Sequence, residues 1–108
     1  MEMVGTNESI SVAIDGEGVV VAAGDVDLAG GPVLEQAILR REPHGSVVID
    51  LSAVEFIDSS GLRSLLWASR RAKERGAEIE LRSPSPGVQR LLSLTGTAEQ
   101  FVLTGVDA

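Results

Sequence analysis

The chain has 108 residues, enough for one domain and no more. Its hydrophobic content of 44% supports a globular core, and 23% charged residues exclude a disordered polyelectrolyte. Sixteen acidic against nine basic residues give a net charge of -7, which excludes a broad nucleic-acid footprint and would repel an anionic membrane surface. With no Cys and one His, the sequence holds no disulfide, no thiolate site and no multi-histidine metal centre, so no metal or cofactor is expected. A small, acidic domain of the cytoplasm, with few means of doing chemistry, is the expectation.

Residues 1–8 are acidic and polar, carry neither the basic start nor the apolar stretch of a signal peptide, and read as a flexible N-terminal tail to a domain over 9–108. Ile10-Ser11-Val12-Ala13-Ile14 alternates as a half-buried strand does, and Asp15-Gly16-Glu17-Gly18 supplies turn chemistry. A second strand over Val19–Ala23 completes a hairpin. Val33, Leu34, Ala37 and Ile38 recur at helical spacing, with Pro32 in the first turn and Arg40-Arg41 at the C-terminal end.

Ser46–Leu51 is a nearly continuous apolar run and predicts a strand buried on both faces. A connection then leads to Asp58-Ser59-Ser60, where Asp58 and Ser59 are each able to cap a helix. Leu62, Leu65, Leu66, Ser69 and Ala72 form the stripe of that helix, and Gly76 stops it. Its basic end, Arg70-Arg71 with Lys73 and Arg75, suits the helix dipole. Trp67 beside the stripe reads as a partly buried packing residue, and His44, between Pro43 and Gly45, as a loop residue. Ala77–Leu81 predicts a strand, Pro86 to Gly96 a third helix carrying Val88, Leu91 and Leu92, and Phe101–Leu103 a last strand. The fold class is therefore α/β: a mixed central β-sheet with helices packed on it, in the order β-β-α-β-α-β-α-β.

Chemistry concentrates at Asp58-Ser59-Ser60-Gly61. A Ser hydroxyl there is either a helix cap or an exposed acceptor, since a phosphate at a helix N-terminus meets free amides and the positive end of the dipole. A hydrolase built on Ser59 fails. Ile57, not Gly, lies two positions before it, against the need of a nucleophile elbow, and His44 has no obvious route to it.

The run Phe56-Ile57-Asp58-Ser59-Ser60-Gly61-Leu62, behind the buried strand, resembles the STAS-domain family and within it the stand-alone bacterial anti-sigma factor antagonists. Gly24-Asp25-Val26-Asp27, the Ser83-Pro84-Ser85-Pro86 turn with its helix, and Leu94-Thr95-Gly96 agree, so that the resemblance spans roughly residues 9 to 104. It implies a single STAS-type domain that is not an enzyme. Ser59 is then the phosphoacceptor of an anti-sigma factor that is itself a serine kinase. The unphosphorylated form binds that kinase and releases the sigma factor, and a PP2C-type phosphatase resets the switch. Asp27, Asp58, Ser60, Gly61 and Leu62 map onto the partner-binding surface. Arg63 is able to pair with a partner acid or with a phosphate on Ser59. No direct contact with nucleic acid or membrane is implied. The same fold also serves as a docking subunit of lipid-transport ABC complexes, which is the alternative reading. Ala29-Gly30-Gly31 departs from the family by putting two glycines at the start of the first helix, where a more mobile surface is expected.

Overall fold

The computed structural model of the chain describes residues 1–106. Six strands lie in chain order across one sheet: β1 (Glu2–Thr6), β2 (Ile10–Ile14), β3 (Val20–Val26), β4 (Val47–Ile57), β5 (Ile79–Arg82) and β6 (Val102–Thr104). The first three are antiparallel, and β3 to β6 run parallel. Each parallel step is bridged by a helix: α1 (Gly30–Arg41), α2 (Ser59–Glu74) and α3 (Pro86–Leu94). All three crossovers advance one strand in the same direction. Because such connections are almost always right-handed, they place their helices on the same face of the sheet.

Burial follows this one-sided layering. Ile10, Val12, Val20, Ala22, Val47, Ile49 and Leu81 alternate into a core shared with Leu34 and Ile38 of α1, Leu65 and Ala68 of α2 and Leu92 of α3. Their neighbours Ser11, Val21, Val48, Asp50, Glu80 and Arg82 face the other way and stay half-exposed. The expectation of a β4 buried on both faces is corrected: its apolar run serves one core face and one partly solvated face.

Two further expectations change. Residues 2–6, read as tail, pair with β2 as an antiparallel edge strand. Asn7 makes the turn: its Oδ1 accepts from the Ser9 amide at 2.8 Å and the Ile10 amide at 3.0 Å, while its Nδ2 donates to the Ala29 carbonyl at 3.1 Å. Strand β4 continues past Leu51 to Ile57, through what read as a connection. Its pairing with β3 slips twice, between Asp50 and Ala53 and between Val54 and Phe56, each slip adding one residue to β4. Such bulges bend a strand and let it reach further than regular alternation would.

The basic end of α2 has a specific partner rather than the helix dipole alone. Glu42, only 9% exposed, accepts from Arg71 Nε and Nη2, both at 2.8 Å, and from Arg75 Nη1 at 3.1 Å. Arg71 also lies 5.1 Å from the ring centroid of Trp67. The hydrogen bonds from Arg71 hold the Glu42 carboxyl below the usual glutamate range. A carboxylate with a lowered folded-state pKa adds stability above its unfolded pKa and loses it as the pH falls through the folded value. Glu42→Gln is therefore expected to destabilise the domain by about 1–2 kcal/mol at neutral pH, given that the guanidinium groups are partly solvated. Melting curves of the two proteins should converge below the ordinary glutamate pKa. A gap that persists undiminished in acid would assign the loss to packing instead.

Candidate functional site at the ends of β3 and β4

In a parallel sheet, ligand-facing loops lie beyond the carboxyl ends of the strands. Register pairs Asp25 with Phe56 and Val26 with Ile57, so the residues that follow β3 and β4, Asp27 and Asp58, emerge together. The Asp58 amide donates to the Val26 carbonyl at 3.3 Å, tying the two exits.

Each Asp organises the helix that follows it. Asp27 Oδ1 accepts from the Gly30 amide at 2.8 Å and the Ala29 amide at 3.1 Å, and its carbonyl accepts from Gly31 at 2.9 Å. The Gly30 amide is the main cause that keeps the Asp27 carboxyl below the usual aspartate range, so it stays ionised. Asp58 is the N-cap of α2: its Oδ1 accepts from the Gly61 amide and its carbonyl from the Leu62 amide, both at 2.9 Å. Ser59 is thus not the cap. It occupies the first helical position, is exposed, and its hydroxyl makes no hydrogen bond to another described residue. The amides of Ser59 and Ser60, in the first turn, have no intrahelical acceptor.

The remaining expected site residues divide. Asp27, Ser60 and Arg63 line a cavity of about 130 Å³ between the starts of α1 and α2, together with Leu28, Glu35 and Ser64. The Ser64 hydroxyl closes it by donating to Glu35 Oε2 at 2.6 Å. Arg63 is exposed and forms no ion pair with another described residue, which leaves it free for an anionic group. Gly61 and Leu62, expected on the contact surface, are buried instead, Leu62 at 8% exposure. Leu62 belongs to the core, and Gly61 lies so close to the Val26 carbonyl that no Cβ fits. Their evident role is to seat the start of α2 on the core and against β3.

The two glycines at the start of α1 are explained the same way. A Cβ on Gly31 would come within 2.6 Å of Ser64 Oγ, and one on Gly30 would overlap the Asp25 carbonyl. Both are buried, so close packing of α1 against α2 and β3 replaces the mobile surface that was expected. Leu28, Glu35 and Ser64 were not singled out in the sequence. Ser64 lies among the buried positions of α2 and looks there like a filler of the apolar face.

The family model described as "Mlab, STAS domain" matches residues 10–104. The chain belongs to the STAS-domain family. The crystal structure of an anti-sigma factor antagonist from Mycobacterium paratuberculosis is similar at 32% identity and a TM-score of 0.74, covering 94% of this chain and 90% of that one. The anti-sigma-B factor antagonist of Listeria monocytogenes is 27% identical over 90 residues, 82% of this chain and 79% of that protein. The phosphorylated form of the Bacillus cell fate determinant SpoIIAA shares the fold, with a TM-score of 0.63 at 17% identity over 88% of this chain and 90% of that one. These likenesses bear out the α/β class and the STAS resemblance. This STAS domain adds β1 to the strand order expected from sequence. Among its described residues, no helix is long and apolar enough to cross a membrane.

Asp27 separates structure from binding in a direct test. Asp27→Asn keeps an Oδ1 acceptor for the Gly30 and Ala29 amides and loses only the charge they favour, so the melting temperature should fall slightly. Removing the charge should weaken a charge-assisted contact with a partner by roughly ten- to a hundred-fold, read by calorimetry. Undiminished affinity would make the carboxylate purely a capping group.

Proposed function

We propose that this chain is an anti-sigma factor antagonist, active in the cytoplasm, whose binding is switched by phosphate on Ser59. The observation that carries the reading is the free Ser59 hydroxyl at the start of α2, with Asp58 taking over the capping. A phosphate there adds a charge of about -1.5 to -2 where the open amides of the first turn and Arg63 offset it. The fold has no need to change. The added bulk and charge act instead on whatever docks against Asp27, Asp58, Ser60 and Arg63.

The partners follow from the resemblance. An anti-sigma factor with serine kinase activity binds the unphosphorylated form and modifies it, and a PP2C-type phosphatase restores it. The names of the Listeria and Mycobacterium proteins support an anti-sigma factor as the partner. A docking subunit of a lipid-transport ATPase would require neither a free hydroxyl at Ser59 nor an ionised Asp27 beside it, so this surface favours the antagonist.

The test is reconstitution with each anti-sigma factor kinase of the source genome, with ATP, followed by phosphosite mapping and calorimetry. One phosphate on Ser59 and a loss of affinity on phosphorylation are expected, with an unchanged melting curve. A phosphate placed elsewhere, or collapse of the fold on modification, would overturn the mechanism.

A further inference from the structure

The polar surface around Ser59 is small, and stable docking surfaces bury roughly 800 Å² per partner around a desolvated apolar centre. An apolar region adjoins it on the α3 side. Strand β5 pairs only with Val47–Asp50 of β4, so the bulged half of β4 beyond Asp50 has a partner on its β3 side alone. Helix α3 packs beside this bare edge through Val88 and Leu92 but does not close over it. Between them lies a groove of about 250 Å³ whose apolar lining includes Phe56, Ile57, Leu91 and Leu94. Phe56 is 54% and Leu94 75% exposed, a large apolar outlay for a domain of this size. Glu55 and Arg90 lie on its margin with opposite charges that leave the rim neutral.

We infer that this groove receives an apolar side chain of the anti-sigma factor, giving the docking surface an apolar half beside its phosphate-switched polar half. The inference rests on the antagonist reading above. Continuity supports it: Phe56 precedes Ser59 by three residues, about 10 Å of extended chain, so one partner spans both. Charge argues against a second copy of this chain as occupant. A net charge of -7 repels itself, and the acids of the polar half, Asp27 and Glu35 in the cavity between α1 and α2, call for a basic partner. The apolar half carries no charge for the phosphate to repel, so it supplies affinity in both states while Ser59 sets the difference between them.

The test uses Leu94→Ser and Phe56→Ser with the purified anti-sigma factor kinase, against wild type and Ser59→Asp. Leu94 is so exposed that its variant should melt as wild type, which keeps the test sound even if Phe56→Ser loses stability. Each groove variant is expected to bind about tenfold more weakly or worse. If Ser59→Asp lowers affinity but folded Leu94→Ser and Phe56→Ser bind like wild type, the groove plays no part and the antagonist reading survives alone. A change in sedimentation mass with no change in kinase affinity would assign the groove to a second copy and overturn the inference. A wild-type chain that binds no such kinase overturns both.

Discussion

Replacing Gly61 by Ala is expected to lower the melting temperature by more than about 10 °C. Gly61 is buried in the first turn of α2, and its Cα faces the Val26 carbonyl at the end of β3. A Cβ there would overlap that oxygen, a backbone atom fixed by the parallel pairing of Val26 with Ile57 and by the Asp58 amide. Neither side has a flexible end that can yield. Overpacking against backbone costs about 2–4 kcal/mol, and relief requires the start of α2 to lift off the sheet. Ser59 would move with it. The variant should therefore lose kinase binding in proportion to the displacement even at temperatures where it is folded. Thermal melting decides the matter. A shift of only about 2 °C would mean that α2 is loosely seated and that the geometry of the Ser59 turn is not held by this contact.

The helices and the hairpin were legible because their signals are local. Leu34, Ala37 and Ile38, then Leu65 and Ala72, then Val88 and Leu92 fall on faces that the core buries. Strand β4 was legible only to Leu51. Its buried residues are Val47, Ile49, Leu51, Val54 and Ile57, so the spacing changes from two to three where the bulges fall. A period-of-two reading stops at the first bulge, yet the bulged part carries Phe56 and delivers Asp58. Strand β1 has no apolar alternation at all. Val4 alone packs on the core, and its pairing depends on the Asn7 turn and on α1 lying over it. Glu42 was invisible for a different reason. Its partners Arg71 and Arg75 lie 29 and 33 residues away, and a basic helix end looks the same with or without a buried acid to meet it. The candidate site was legible as a motif but not as a division of labour. Sequence allowed Asp58 or Ser59 to cap, and only the geometry shows Asp58 doing so.

One-sided winding is what brings the residues of the proposed switch together. With α1 to α3 on one face, the ends of β3 and β4 open side by side, and two helix starts meet there under the control of two Asp side chains. The capping hydrogen bonds use up Asp27 Oδ1 and Asp58 Oδ1, and Ser64 satisfies Glu35. Ser59 is left over. A hydroxyl without a hydrogen bond to the described residues could gain and lose a phosphate at little cost to the fold, as the proposed regulation requires.

That division of labour fixes the outcome expected for Ser59→Ala. Since its hydroxyl makes no hydrogen bond to a described residue, stability should match wild type to within about 0.5 kcal/mol. Asp58→Ala, by contrast, removes the true cap and should cost about 0.5–2 kcal/mol. Incubated with the cognate anti-sigma factor kinase and ATP, Ser59→Ala should take up no phosphate. It should hold the kinase with the affinity of the unphosphorylated wild type for as long as the mixture is followed, whereas wild type lets go as it is modified. The two variants thus part company: one is stable and takes up no phosphate, the other is destabilised and docks less well but keeps its acceptor hydroxyl. Phosphate incorporation and denaturant melts, measured side by side, distinguish them. If Ser59→Ala melts like Asp58→Ala, the hydroxyl shares the capping after all, and a phosphate there would disturb the helix it stands on. If it is still labelled, the acceptor is a neighbour, and Ser60, half-buried on the wall of the cavity with Asp27 and Arg63, is the residue to replace next.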